Sequence, residues 1–499
     1  MMGTRDRFRQ LLDEAPGDVD AIEFGGEWIT WSSLQQIDRD LERELSARGL
    51  GKDARVGVIL ENTPEHLATL VSLISSGRCA VTLSPLQPPQ RLAADLAAAE
   101  LPALVGSAEA LARPGLRKAA GDAAVLELSP GGVRLTSDAH HERRPTDASP
   151  GIVVEMLTSG TTGPPKRIRL SERQFDTALA GSVPKPPDGT LFRSGVSLVV
   201  TPLVHIGGLW SAMGPIYTGR RVCLMSKFSL EDWVCAVVRH RPRACGLVPA
   251  ALRSILRAQI PAEQLSSLQV ITTGTAFCPP ELIDEMFEAY GIRVLPTYGA
   301  TEFAGAVAMW TYPLHEKYWA SKAGSAGRAL PGVSLRVTDA DGAELPVGEQ
   351  GHLEIRSKQT PVGEHEWLRT SDLAAIDEQG FLWIRGRADD AIIRGGFKVH
   401  PDHVRSVLEK HPSVREAAVA PRADERLGQV PVAGVELEPG MPVPDEAELR
   451  DFCRETLTPY EVPVNIVIFG ELPRTPSSKV SRVELLEQIE EQLRQRSSA

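Results

Sequence analysis

Short β-rich runs alternate with Ala- and Leu-rich stretches from about Ala21 to Ser226, Arg55-Val56-Gly57-Val58-Ile59-Leu60 being one of the runs. This is the pattern of a layered α/β domain, in which strands alternate with helices that cover the sheet. The pattern continues downstream. Val270-Ile271-Thr272-Thr273 reads as a strand ending in a loop from Gly274 to Pro279. Pro280 then opens a helix whose Leu282, Ile283, Met286, Phe287 and Tyr290 share one apolar face, and Gly291 closes it. Ile292 to Leu295 gives the next strand, with Tyr298 to Glu302 just past its end, where open α/β sheets collect ligands.

From about Asp389 the pattern changes to helix, strand, strand, helix, strand: Pro401 to His411, Val414 to Ala420, Val430 to Glu436, Asp445 to Leu457 and Val464 to Phe469. That order predicts a small α+β domain after a large layered α/β domain, the expected limits being 1–388 and 389–499. At 499 residues the chain exceeds what one core normally organises, which agrees with two domains. The polar tail after Glu490 is expected to fray.

Composition removes several function classes. A net charge of −11 without a long Lys or Arg block argues against nucleic-acid binding. The six cysteines are scattered without a C-x-x-C pair, so neither a zinc site nor a disulfide framework is indicated. The N-terminus lacks a signal-peptide core and no run of 18 apolar residues occurs, so no transmembrane segment and a cytoplasmic location are expected.

Candidate chemistry starts at Thr158-Ser159-Gly160-Thr161-Thr162-Gly163-Pro164-Pro165-Lys166, which follows a Val-Val-Glu-Met-Leu run. Hydroxyls and exposed backbone N–H groups suit an anion, with Lys166, Arg167 and Arg169 nearby to neutralise it. The spacing is not that of a Walker loop, and the two prolines oppose a helix there, so the grip would come from the loop itself.

With the motifs that follow it in order, this loop resembles the phosphate loop of the adenylate-forming superfamily, which includes acyl-CoA synthetases, aryl-CoA ligases, luciferases and peptide-synthetase adenylation domains. The five motifs run from about residue 151 to 482. In that resemblance the loop closes over the β- and γ-phosphates of ATP, although Arg167 stands where glycine usually follows the lysine. Gly274-Thr275-Ala276 matches the loop along adenine and the acyl pocket, with Thr275 and Phe277 replacing a more usual glycine and proline. Tyr298-Gly299-Ala300-Thr301-Glu302 matches in full. It implies a ring stacked on adenine, a threonine hydroxyl reaching the α-phosphate, and Glu302 as a ligand of Mg²⁺. Thr370-Ser371-Asp372 corresponds to Thr-Gly-Asp, with Asp372 and Arg387 as ribose contacts and Asp389 as hinge. Leu472 to Arg482 resembles the motif of the catalytic lysine, here Lys479, with Ser478 in place of the usual glycine.

The implied fold is a large AMP- and acyl-binding domain of the adenylate-forming type plus a small mobile domain carrying Lys479. The implied reaction has two steps: a carboxylate attacks the α-phosphorus of ATP, and the thiol of CoA then takes the acyl group. In the second step the small domain would rotate and present Arg394-Gly395-Gly396-Phe397-Lys398, where glycines let pantetheine pass close to the backbone. Pro202-Leu203-Val204-His205 resembles the segment whose imidazole lines the acyl pocket. Small residues on both walls, Gly208 among them on one side and Ala304 and Gly305 on the other, point to a bulky apolar acid rather than acetate. No Asp after Thr201 matches an anchor for an α-amino group, which counts against amino acids. Two alternatives stay open: an enzyme loading the phosphopantetheine of a carrier protein, and a nucleotide-binding regulatory protein that has lost catalysis.

Overall fold

In the computed structural model the described residues are 3–138, 148–157, 166–182, 190–274, 276–388, 390–395, 397–475 and 479–498. They form two compact units. One holds 3–157, 167–334 and 356–368, and the other holds 166, 335–355 and 369–498. The domain limits expected from the sequence, 1–388 and 389–499, are taken up below as a proposal.

The first unit is built on three sheets. The largest has seven strands in the order Gly132–Ser137, Ala124–Ser129, Ala103–Ser107, Arg55–Ile59, Cys79–Leu83, Ile152–Leu157, Arg167–Ser171. Its inner five are mutually parallel, and an antiparallel strand closes each edge. Val56, Val58, Ile59, Val81 and Leu83 are fully buried, as parallel strands covered on both faces require. Helix Pro64–Ser75 starts with Pro64 in its first turn and Thr63 as cap, accepting from the His66 amide. Its apolar residues are covered on every side. A four-stranded sheet follows the order Val196–Val199, Arg221–Leu224, Asp20–Phe24, Glu27–Thr30.

The third sheet runs Ala244–Gly246, Val270–Thr273, Arg293–Ala300, Gly305–Met309, Arg328–Ala329. Helix Pro280–Tyr290 ends where expected, at Gly291 with φ 68°. Leu282, Ile283 and Met286 are buried, but Phe287 is 42% exposed and carries the Arg293 guanidinium over its ring. A cation on the ring face keeps that aromatic edge in water at little cost. The strand expected to end at Leu295 continues through Ala300 and pairs antiparallel with Gly305–Met309. Tyr298 to Ala300 therefore lies in a β-hairpin and not beyond the strand.

In the second unit Ser334–Thr338, Gly351–Arg356, Leu368–Ile376 and Leu382–Arg387 form a four-stranded sheet in that order. The expected helix, strand, strand, helix, strand order is present as Pro401–Leu408, Val414–Asp424, Gly428–Leu437, Glu446–Arg454 and Asn465–Phe469. Gly428–Leu437 pairs with both other strands. The tail expected to fray instead belongs to helix Arg482–Ser498. Leu485 and Ile489 bury its inner face, and Glu491 binds Arg494 and Gln495 one turn on.

Candidate active site

The loop 158–165 falls outside the described residues, as do Thr158, Ser159, Gly160, Thr161, Thr162 and Gly163. Its two stems are well defined. Strands Ile152–Leu157 and Arg167–Ser171 are antiparallel with Leu157 opposite Arg167, so a strand follows the prolines and not a helix. Lys166 is exposed. Arg167 is tied to the sheet and its flank: one Nη donates to the Thr82 carbonyl (3.2 Å) and the other pairs with Asp95. Arg167→Ala is expected to destabilise the protein by about 1–2 kcal/mol, since it strands a largely covered Asp95 carboxylate. Thermal melting checks this, with Arg169→Ala, at a 53% exposed side chain, expected to cost less.

The Tyr298–Glu302 segment is shaped by close backbone approach. A Cβ on Gly299 would lie 2.2 Å from the Gly305 carbonyl oxygen, and one on Gly305 would lie 2.6 Å from Trp210 Nε1. Thr301–Phe303 turns as a short 3₁₀ segment, and the Ala304 amide donates back to Thr301 O at 3.0 Å. Ala304 takes φ 56°, a left-handed conformation that its small side chain tolerates at some strain. Tyr298 is half-buried with its ring centroid 6.0 Å from that of Phe303, while Glu302 is exposed. Gly274 sits against the same strand, since a Cβ there would meet Thr297 Oγ1 at 2.6 Å. Ala276 is exposed beside it, and Thr275 lies outside the described residues.

His205 is half-buried at the start of helix Ile206–Tyr217. Asn62 holds the chain just before it. Its Nδ2 donates to Thr201 O (3.2 Å) and Met225 O (3.1 Å), and its Oδ1 accepts from Leu203 N (2.7 Å). Gly208 and Gly305 do not leave the space that the sequence reading assigned to small residues. A Cβ on Gly208 would strike Pro202 O at 2.0 Å, and the room opposite Gly305 is taken by Trp210, whose Nε1 donates to Ala304 O at 2.9 Å. Their smallness serves chain packing. Gln359 completes the frame, donating to Phe303 O (3.3 Å) and Ala306 O (3.0 Å). Asn62, Trp210 and Gln359 carry no local sequence signal, because each acts through partners more than 50 residues away.

In the second unit Asp372 and Arg387 are register partners on adjacent antiparallel strands, which puts both side chains on one face. Ser371 is not in a left-handed conformation, and its carbonyl accepts from Ala388 N at 2.7 Å. Serine therefore fits where the resembled motif has glycine. Asp389 and Ser478 lie outside the described residues, as does Gly396. Gly395 has φ 57°, which a glycine adopts without strain, and its amide donates to Leu427 O at 2.8 Å. Beside it the Arg394 guanidinium is tied to the carbonyls of Pro459, Tyr460 and Val462. Burial lowers its pKa below the ordinary value. Phe397 stacks on Tyr460 at 4.7 Å and 15°. Lys479 lies between two backbone bonds, its carbonyl accepting from Thr475 N at 2.6 Å while Ser481 N donates to Pro473 O at 2.7 Å.

Two stretches of the chain match family descriptions: "AMP-binding enzyme" over residues 8–362 and "AMP-binding enzyme C-terminal domain" over 403–479. The chain belongs to this adenylate-forming, AMP-binding enzyme family. It is 31% identical to an indoleacetate–CoA ligase of Aromatoleum aromaticum over 94% of both chains. To a 2-succinylbenzoate–CoA ligase of Bacillus cereus it is 29% identical, covering 95% of this chain and 96% of that one. The crystal structure of ATP-bound MatB from Rhodopseudomonas palustris superposes with a TM-score of 0.81 at 25% identity, over 98% of this chain and 99% of that one.

The donor set of this AMP-binding enzyme can be tested against a metal. Among the described residues, Glu23, Cys223 and His240 form a group with metal-ligand spacing. However, Glu23 already pairs with both Arg239 and His240, and burial, reinforced by the Glu23 charge, pushes the Cys223 thiol up to about 12. That cluster is a Glu23–Arg239 ion pair with His240, whose pKa burial lowers, packed beside the Cys223 thiol. Glu302 is an exposed carboxylate that could take Mg²⁺, a hard cation that binds one or two carboxylates, keeps several waters and binds phosphate oxygens. No helix among the described residues is long and apolar enough to cross a membrane.

Proposed function

We propose that this enzyme is a carboxylate–CoA ligase for a bulky apolar acid, of the aryl class. The observation that carries the reading is the Tyr298–Glu302 hairpin, which leaves an exposed carboxylate and a half-buried ring at the end of a sheet strand in a chain of this family. The substrate class is supported by the aryl acids of the two relatives and by the indole of Trp210 beside Ala304. ATP, Mg²⁺ and CoA are the cosubstrates and metal of this reaction.

In the first step a carboxylate oxygen bonds to the α-phosphorus, the bond to the bridging oxygen breaks, and pyrophosphate leaves. Lys479 would offset negative charge on the α-phosphate and bridging oxygens, with Thr301 hydrogen-bonding the same phosphate. The loop from Thr158 to Lys166 would hold the pyrophosphate half. Tyr298, Gly299, Ala300 and the Gly274–Ala276 segment would hold adenine, and Asp372 with Arg387 the ribose. Mg²⁺, held by Glu302, neutralises phosphate charge when bound. In the second step the thiol sulfur of CoA attacks the acyl carbonyl, losing its proton as AMP leaves, with Gly395 and Gly396 lining the thiol's path. The proposal includes residues 389–499 turning about Asp389 between the steps, and a cytoplasmic location, where ATP and CoA are supplied.

Acid-dependent pyrophosphate release with and without CoA tests the reading. Indoleacetate, 2-succinylbenzoate, benzoate, decanoate and acetate form the panel. An aryl acid is expected to give the highest rate and an acyl-CoA product. Adenylate without acyl-CoA would favour a carrier-protein acceptor, and ATP binding without turnover on any acid would favour a regulatory role.

A further inference from the structure

The segments that flank Lys479 converge on one buried carboxylate. Glu436, on Gly428–Leu437, has no exposed surface and faces Glu416 directly across the antiparallel ladder. Two carboxylates opposite one another repel unless a cation joins them. Arg474 does so, its Nη2 lying 2.6 Å from Glu416 Oε2 and 3.3 Å from Glu436 Oε1, while Arg415 pairs with Glu436 Oε2. Glu436 Oε1 also accepts from the Leu472 amide at 2.6 Å. Arg474 is bridged through its backbone to Val480, the residue after Lys479. The segment leading to Lys479 is thus held at Leu472 and Arg474 by the same carboxylate.

We propose that Glu436 is a positioning residue for adenylation, setting the place of Lys479 through Arg474 and the Leu472 amide. The inference rests on the reading of Lys479 given above. It implies a split between the half-reactions, because thioester formation does not use the lysine. The assay uses the full chain and the aryl acid that the wild-type protein adenylates fastest. It compares pyrophosphate release with thioester formation from synthetic acyl-adenylate and CoA.

Glu436→Gln is expected to lower kcat for adenylation about 10- to 100-fold, as small misplacements of reacting groups do, with KM for ATP little changed and thioester formation retained. Glu436→Asp, which keeps the charge, should recover part of the loss. Should Glu436→Gln fail to fold, Arg474→Ala carries the test, since that side chain is 28% exposed. Equal losses in both half-reactions, or unchanged adenylation, would overturn the proposal. A Lys479→Ala control separates the two ideas. Adenylation surviving in the control refutes the role of Lys479 itself, whereas its loss there with normal rates in the Glu436 and Arg474 variants removes Glu436 alone.

Discussion

Lys479→Ala is expected to slow acyl-adenylate formation about 10²- to 10³-fold, the usual cost of losing a preorganised group that meets charge as it develops. ATP should still bind, because the phosphate, adenine and ribose contacts proposed above all come from other segments. The two backbone bonds beside the lysine involve main-chain atoms only, so truncation of its side chain to alanine leaves both groups in place. Single-turnover pyrophosphate release gives the rate and calorimetric titration the ATP affinity. Thioester formation from supplied adenylate should survive. An unchanged adenylation rate would remove the lysine from the mechanism, and a matching loss of ATP binding would make it a ground-state contact.

Gly299→Ala should be the more damaging change to the protein as a whole. The added methyl would sit 2.2 Å from the Gly305 oxygen, 2.6 Å from its carbon and 2.7 Å from Ala306 Cα, all main-chain atoms that cannot rotate aside. Gly305 cannot retreat, because it lies against Trp210, which is bonded to Ala304 O. The hairpin must open, taking Tyr298 and Glu302 from their places. The expected loss is about 3 kcal/mol of stability, the upper range for overpacking, with adenylation about 10²-fold down. Melting curves and pyrophosphate release measure both. Gly291→Ala is the control: φ is 68° there but nothing lies within 4 Å, so only backbone strain of about 1 kcal/mol should appear, with activity intact. Wild-type rates in Gly299→Ala would show that the hairpin has slack the geometry denies.

What the sequence made legible was local. Pro280 and Gly291 bracket their helix because φ restriction at one end and a left-handed cap at the other are properties of single residues. The C-terminal element order is readable for the same reason. The strand through Ala300 was not, because Tyr298 to Ala300 becomes extended only by pairing with Gly305–Met309, a partner that periodicity cannot choose. Gly208 and Gly305 misled in a related way: a small residue signals that something comes close, and only the fold says whether that is a ligand or Pro202 and Trp210. Arg167 became intelligible once Asp95 and Thr82, more than 70 residues earlier, were seen at its side. Asp372 and Arg387 are joined in the sequence only by the resemblance, and the ladder makes them register partners.

The ion pair between Arg482 and Asp390 has a mechanical meaning. Arg482 Nη1 lies 2.7 Å from Asp390 Oδ2, and both side chains are largely covered. One partner is the residue next to the proposed pivot, and the other stands three residues beyond Lys479. If residues 389–499 turn as proposed, this ion pair would tie the chain beside the pivot to the segment that carries Lys479. Lys479 would swing as the tip of a crank, advanced or withdrawn in step with the joint.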